Sequence, residues 1–396
     1  MTFTGRHVLL GVSGGIASYK ACTLARRLVD SGAVVDVALT ASAAEFVRPV
    51  TFEALTGRPV LGSLWEPGRA LAHISLARQP DLLVLAPATA NLLARAALGL
   101  ADDLLTAILL ARSGPVLAAP AMNDAMFAHP ATQANIATLR NRGWSFVGPV
   151  VGSLAEGPSD RPGRMSEPEE IFAEVERLLR GPASALRGRR VLVTAGPTRE
   201  MLDPIRVITN RSSGRMGFAL AQAAYRRGAD VTLVVGPTLL TPPYGPAVER
   251  VETTADLQAA VGRHLPTTDV LLMAAAPADF RPVTAATGKR VREEGALALS
   301  LEPTPDVLVS TRERRKPGAV VVGFAYETED GVAKARVKLS RKALDLVVLN
   351  MVEPDAGAEV ATNRVTLVTA ERAVPGPVEA KEDAAERILD AVEALL

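Results

Sequence analysis

Residues 190–217, RVLVTAGPTREMLDPIRVITNRSSGRMG, begin a new structural start in mid-chain. Val191 to Thr194 is a short apolar run that reads as a strand, and Ala195-Gly196-Pro197-Thr198 reads as a turn. A long polar loop follows, and Ser212-Ser213-Gly214 leads into a helix from Arg215 to Arg226, with Ser212 and Ser213 as natural N-cap residues. The same order of parts occurs near the N-terminus, where the strand His7 to Val12 passes through Ser13-Gly14-Gly15 into a helix over Ala17 to Val29. Two such starts predict two nucleotide-type α/β domains with mostly parallel, Rossmann-like sheets.

The length of 396 residues suits two domains. The first is expected over 1–180, a linker over 181–190 and the second over 191–396. Pro168 to Arg180 closes the first half as a helix, with Ile171, Phe172, Val175, Leu178 and Leu179 at helical spacing. The formal net charge is +1, so no broad field for nucleic acid or an anionic membrane exists, and any bound anion must be met by local groups. Cys22 is the only cysteine, which excludes an internal disulfide and a cysteine metal cage. No uninterrupted apolar run reaches the roughly 18 residues of a membrane span. A soluble cytoplasmic protein is expected.

In the first half, small residues at Ser13-Gly14-Gly15 let backbone N–H groups and a helix N-terminus approach a phosphate. A plain strand-to-helix turn would look the same. The strand Val34 to Thr40 ends in Ala41 and Ser42, and the apolar run Asp81 to Ala86 ends in Pro87-Ala88-Thr89-Ala90-Asn91. Val116 to Ala119 delivers Pro120-Ala121-Met122-Asn123-Asp124-Ala125-Met126-Phe127, where an amide lies between two thioethers and a ring. That mixture suits recognition of a carboxylate or amide against a flat apolar ligand.

Pro120 to Phe127 resembles the PxMNxxMW motif of the flavin-dependent cysteine decarboxylases, and Leu71-Ala72-His73-Ile74-Ser75-Leu76 resembles their active-site histidine segment. Pro87 to Asn91 with Gly99 to Leu105 is similar to their flavin-binding region, and Gly152 to Met165 to their substrate clamp. The resemblance implies a flavodoxin-like domain that binds FMN, with Ser13, Gly14, Ser42, Ala88 and Thr89 at the cofactor. It makes His73 the catalytic base and Asn123 the holder of the departing carboxylate. Three departures stand out. Phe127 replaces tryptophan, Asp103 stands where asparagine is usual, and the clamp reads Ala155-Glu156-Gly157 in place of alanine-cysteine-glycine. The usual proton donor is therefore missing, and Glu156 could replace it, since a carboxyl group partly desolvated under a closed flap can act as an acid. The rivals are an exposed loop glutamate with another group or water giving the proton, and an impaired decarboxylase half that serves as a flavoprotein regulator beside an active ligase.

In the second half, the strand Val270 to Ala274 leads to Asp279, placed where a carboxylate can hold a magnesium ion bridging phosphates. Val191 to Thr198, Asn210 to Gly217, Ala274 to Phe280, Lys289, Pro305 to Leu308, Gly323 to Thr328 and Lys338 to Asn350 resemble, in order, the phosphopantothenate-cysteine ligases. The whole chain thus resembles the bifunctional proteins of bacterial coenzyme A biosynthesis. The resemblance implies CTP, Mg2+, 4'-phosphopantothenate and L-cysteine as partners, and an acyl-cytidylate as intermediate. Met273, Asp279, Lys289, Pro305, Asp306, Val307, Leu308, Phe324, Lys338 and Lys342 would serve the nucleotide site. Asn210 would stabilise the acyl-cytidylate, with Ser212 and Gly214 beside the acyl substrate. A homo-oligomer, a dodecamer from trimers of the first domain and dimers of the second, is also implied. By spacing alone, Lys338 and Lys342 would be a solvated helix face. Residues 283–297 read as a mobile lid, Val365 to Thr369 as a last strand, and Glu379 to Leu396 as a terminal amphipathic helix.

Overall fold

The computed structural model describes residues 3–66, 71–180, 183–289, 298–351 and 360–396. The chain separates into two units, residues 1–179 and 180–396, each around its own sheet. In the first, the elements follow as β1 (His7–Val12), α1 (Ser18–Asp30), β2 (Val34–Leu39), α2 (Ala41–Phe46), α3 (Pro49–Thr56), β3 (Val60–Leu61), α4 (Ala72–Arg78) and β4 (Leu82–Ala88). Then come α5 (Ala90–Leu98), α6 (Leu104–Ala111), β5 (Val116–Pro120), α7 (Asp124–Ala128), α8 (Pro130–Asn141), β6 (Ser145–Phe146), β7 (Val150–Val151), β8 (Pro162–Arg164) and α9 (Pro168–Arg180).

The main sheet runs β3-β2-β1-β4-β5-β6, all parallel. Without the two-residue edge strand β3, this is the 2-1-3-4-5 order of flavodoxin-like sheets. All seven residues of β4 are buried, as its continuous apolar run requires when helices cover both faces of a parallel sheet. The order reverses between β1 and β4, which opens a crevice at the carboxyl ends of those strands.

The second unit repeats the plan. Its elements are β9 (Arg190–Ala195), β10 (Arg199–Met201), β11 (Val207–Thr209), α10 (Arg215–Arg226), β12 (Asp230–Val235), β13 (Ala247–Arg250), α11 (Thr254–His264), β14 (Val270–Met273), β15 (Phe280–Pro282) and β16 (Leu301–Pro303). The chain continues through α12 (Val307–Ser310), β17 (Val320–Glu327), α13 (Gly331–Lys342), β18 (Leu346–Met351), β19 (Thr362–Val368), β20 (Ala373–Ala380) and α14 (Lys381–Glu393). The sheet order is β13-β12-β9-β14-β17-β18-β19-β20, parallel as far as β18 and antiparallel over the last two strands. One apolar layer includes residues of α10 and α14, and the other includes residues of α11, α12 and α13. No helix among the described residues is long and apolar enough to cross a membrane.

Three local expectations need correction. The polar stretch after β9 is not simply a loop: β10 and β11 pair antiparallel within it, Arg199 opposite Thr209. Residues 365–369 do not form the last strand, because β20 follows; its Pro375, Gly376 and Pro377 hid it, and a proline is tolerated there because β20 is an edge strand. The N-cap of α10 is Gly214 in a left-handed conformation with φ 80°, not Ser212 or Ser213, and glycine fits that conformation without strain.

A charged cluster ties β1, β2 and the segment after α3 together. The His7 Nε2 and Arg58 Nε atoms lie 2.7 and 2.6 Å from the Asp36 carboxylate. Burial opposes the charge on Asp36, but the Arg58 and His7 hydrogen bonds outweigh it and hold the carboxyl below its ordinary value. A depressed carboxyl pKa contributes stability above the unfolded pKa and loses it as pH falls through the folded one. Asp36→Asn is therefore expected to lower stability by about 1–2 kcal/mol at pH 7, measured by urea unfolding. The deficit should shrink steadily below roughly pH 4, and a deficit independent of pH would contradict the assignment.

Candidate functional site

The crevice of the first unit is a cavity of about 880 Å³. Ser13, Gly14, Ser42, Thr89, Asn123 and Glu156 all line it, although they come from five separate stretches of chain. A Cβ on Gly14 would lie 2.3 Å from the Ser42 Cβ and 2.6 Å from its carbonyl carbon, so only glycine lets these two loops meet. Among the described residues, the N–H groups of Gly14, Gly15, Ile16 and Ala17 find no acceptor, and these residues line the cavity ahead of α1. Such a turn is a ready anion seat. Ser13 does other work: its hydroxyl donates to the Pro87 carbonyl at 2.8 Å and accepts the Thr89 N–H at 3.1 Å, which joins β1 to β4. Ala88 does not line the cavity. Its side chain is fully buried and its carbonyl accepts the Ala121 N–H. His73, half-buried on α4, is also absent from the lining.

Asn123 is oriented by its own helix. Its Oδ1 caps α7, accepting the Ala125 N–H at 2.8 Å and the Met126 N–H at 3.2 Å, so its Nδ2 is left to donate outward. There it donates to the Glu156 carboxylate. Two further contacts join the same segments: the Met122 N–H donates to the Gly163 carbonyl, and the Ser159 hydroxyl to Asp124 at 2.5 Å. The Ser159 hydrogen bond holds the Asp124 carboxyl below its usual range. Glu156 is exposed, so the desolvation expected under a closed flap is not provided by the chain around it.

The other departures find physical roles. Asp103 caps α6 by accepting the Thr106 N–H at 2.8 Å and pairs with Arg95 at 2.9 Å, which an asparagine could do only in part. Phe127 packs against the core, while Met126 is exposed at the cavity.

In the second unit, Met273, Asp279, Pro305, Asp306, Val307, Leu308, Phe324, Lys338 and Lys342 all line one cleft of about 140 Å³ at the carboxyl ends of β14 and β17. Lys338 is not on a solvated face. It donates to the Phe324 carbonyl, and burial followed by the charge of Lys342 pushes its ammonium below the usual lysine range. Lys342 pairs with Asp306 at 2.8 Å. Burial opposes the Asp306 charge, yet Lys342 keeps that carboxyl below its ordinary value. Asn210 does not line the cleft, but its Nδ2 donates to the Pro277 carbonyl at 2.8 Å, and Pro277 does. Ser212, Gly214 and Lys289 are not among the lining residues. Lys289 is exposed, and most of the expected lid, 290–297, lies outside the described residues. Among the described residues no three His, Cys, Asp or Glu side chains form a metal cage.

Lys20 was not foreseen. It is 5% exposed, lines the first cavity, and donates to the Met165 carbonyl at 3.0 Å and to Glu167 at 3.1 Å. Its spacing with Leu24 and Leu28 on α1 was the available signal, since that places it on the buried stripe.

Comparison with known proteins divides the chain at the same place. The Flavoprotein family matches residues 2–180, and the family described as DNA/pantothenate metabolism flavoprotein C-terminal domain matches residues 186–396. A coenzyme A biosynthesis bifunctional protein CoaBC from Vibrio cholerae is 44% identical over 393 residues, covering 98% of each chain. Its namesake from Mycobacterium tuberculosis is 48% identical over 372 residues, covering 90% of this chain and 89% of that one. The Bacillus subtilis protein of that name is 44% identical over 367 residues, covering 91% and 90%.

The contact between Asn123 and Glu156 can be tested by charge. Asn123→Asp keeps the capping oxygen and sets a carboxylate against Glu156. Amide exchange at Leu154 and Gly157, which bond each other at 2.8 and 3.1 Å, should quicken by about fivefold or more, the factor made by ~1 kcal/mol. Adding Glu156→Gln should restore slow exchange. Unchanged exchange in the single variant would mean that the contact does not hold the clamp.

Proposed function

The chain belongs to the family of coenzyme A biosynthesis bifunctional proteins, with a flavoprotein decarboxylase unit followed by a ligase unit, and on that premise we propose how its residues divide the two reactions. The second unit joins 4'-phosphopantothenate to L-cysteine through an acyl-cytidylate made from CTP. The first decarboxylates the resulting 4'-phosphopantothenoylcysteine to 4'-phosphopantetheine. The gathering in one cleft of nine of the ten residues expected at the nucleotide site, all but Lys289, is the observation that carries the nucleotide assignment.

That cleft is smaller than the few hundred Å³ of an ordinary ligand cavity. The base and ribose would enter it, and the triphosphate would extend over its exposed rim at Asp279. One carboxylate there fits a Mg2+ ion carried in by the phosphates, not a cage of protein ligands. Lys338 and Lys342 would meet the charge developing at the α-phosphorus, where removal of such a stabiliser typically costs about 10²- to 10³-fold in rate. Asn210 would hold the acyl group at the edge of the nucleotide loop.

The first cavity is large enough for FMN. Gly14 to Ala17 offer N–H groups for its phosphate, and Met122, Met126 and Leu154 offer apolar wall. When bound, FMN supplies reversible two-electron oxidation of the substrate thiol, the electron sink that an unactivated cysteinyl carboxylate lacks. The outward Nδ2 of Asn123 would hold the substrate carboxylate. Because His73 lies away from the lining of its own chain's cavity, its role as base is tied to the expected homo-oligomer, in which a second copy would bring its His73 to the rim. Glu156, poised on Asn123, would give the proton that completes reduction of the ene-thiol product.

Two experiments test this. Purified protein should be yellow, release CO2 from 4'-phosphopantothenoylcysteine, and release pyrophosphate from CTP only when 4'-phosphopantothenate is present; colour without either turnover would leave a flavoprotein regulator instead. Glu156→Gln should shift the decarboxylation product from 4'-phosphopantetheine to the oxidised ene-thiol, two hydrogens lighter by mass. The same product mixture in variant and wild type would remove Glu156 as the proton donor.

A further inference from the structure

Residues 275–279, between β14 and β15, supply four residues of the nucleotide cleft yet belong to no strand or helix. Side chains and carbonyls of other segments must therefore hold them. The Ala275 N–H donates to the Thr194 hydroxyl at 3.0 Å, and the Ala276 N–H to the Gly196 carbonyl at 2.9 Å. Asn210 holds the Pro277 carbonyl.

Ala278 is held differently. Its N–H donates to Thr198 Oγ1 at 2.8 Å, and its carbonyl accepts the Thr304 hydroxyl at 2.5 Å and, more distantly, that of Thr254 at 3.4 Å. The two threonine oxygens lie 2.9 Å apart. With the Thr254 hydrogen directed to Ala278, Thr198 donates to Thr254, and a closed ring of three hydrogen bonds encircles the Ala278 residue. Both threonines are 1% exposed and Ala278 is 2% exposed, so no water can replace a missing partner easily. The Thr198 main chain reaches the other way, its carbonyl accepting the Thr209 hydroxyl at 2.7 Å, one residue before Asn210.

We infer that Thr198 is a positioning residue for the ligase reaction: its buried hydroxyl and carbonyl set the Asp279 loop and the Asn210 strand in register with each other. Asp279 and Asn210 approach the reaction from two different segments, and Thr198 bonds to the neighbour of each. Loss of the hydroxyl frees the Ala278 N–H and lets Asp279 drift relative to Asn210. A misplacement of about 1 Å can cost on the order of 10²-fold in rate. Thr254 completes the ring from the start of α11, where its own N–H donates to the buried Glu200 carboxylate at 2.8 Å. This inference rests on the roles proposed above for Asp279 and Asn210.

The test compares Thr198→Val, which keeps shape and removes the hydroxyl, with Thr198→Ser, which keeps the hydroxyl. Pyrophosphate release from CTP with 4'-phosphopantothenate gives kcat and both KM values, and amide exchange at Ala278 reports the tie without any substrate. The valine variant should lose on the order of 10- to 100-fold in kcat, with both KM values within about threefold. Ala278 exchange should quicken by on the order of 10-fold, and serine should restore both. Faster exchange with unchanged kcat overturns the positioning role, and unchanged exchange overturns the ring itself. If serine fails to rescue a valine variant that is slow, side-chain shape and not the hydroxyl is responsible, and the inference falls. A wild type that releases no pyrophosphate from CTP overturns the nucleotide reading, and this inference with it, and is seen before any variant is compared.

Discussion

In both units a hydroxyl near the end of the first strand accepts a backbone N–H from beyond the reversal in strand order. Ser13 takes that of Thr89, and Thr194 takes that of Ala275. The reversal leaves peptide groups at these strand ends without the next ladder partner, since crossover helices depart toward opposite faces of the sheet. Buried peptide groups need partners. The hydroxyls supply them, and by doing so they fix the loops that line each crevice. The anion-seat turn at Gly14 and the Asp279 loop both depend on this bond across the reversal.

The fold was legible where burial imposed a simple pattern. Strands β4 and β14 are apolar throughout, and β1 and β9 are mostly apolar after a polar first residue, because both faces of a parallel sheet are covered, and α9 and α10 show helical spacing. It was illegible where polarity or proline masked pairing. The residues of β10 and β11 alternate too briefly to separate a three-residue ladder from a loop, and β20 carries prolines that only an edge tolerates. At the sites, charged helix residues misled most. Lys20 and Lys338 are lysines on amphipathic helices, ordinarily a surface pattern, yet each falls on a buried stripe, Lys20 with Leu24 and Lys338 with Ala335. Each donates to a backbone carbonyl, Lys20 to that of Met165 and Lys338 to that of Phe324, and such acceptors leave no mark in a sequence.

Departures from the resembled pattern separate by what each side chain touches. Asp103 caps a helix and pairs with an arginine, a task its carboxylate performs with both oxygens. Phe127 faces the core, where an indole N–H would have needed a partner. Glu156 meets Asn123, so this change falls on a polar group facing the cavity. Asp103 and Glu156 both line the cavity, but the Asp103 carboxylate is taken up by Thr106 and Arg95, whereas Glu156 meets the outward amide of Asn123.

With a net charge of +1 the protein has no general pull on anions, so selection falls to how each local donor is already engaged. Lys342 is matched by Asp306, and Asp306 also accepts the Val309 N–H at the start of α12, which holds it in place. A phosphate bound in this cleft as proposed would therefore share Lys342 with a fixed carboxylate. Lys338 is engaged by the Phe324 carbonyl, which satisfies a hydrogen bond without cancelling the charge. Burial, followed by the charge of Lys342, holds the Lys338 ammonium below its usual range, while the Glu327, Asp306 and Asp279 carboxylates oppose that shift. The two lysines are thus engaged differently: Lys342 pairs with the Asp306 that caps α12, and Lys338 donates to the Phe324 carbonyl, so the charge proposed to meet a phosphate is held by an ion pair at one and by a neutral acceptor at the other.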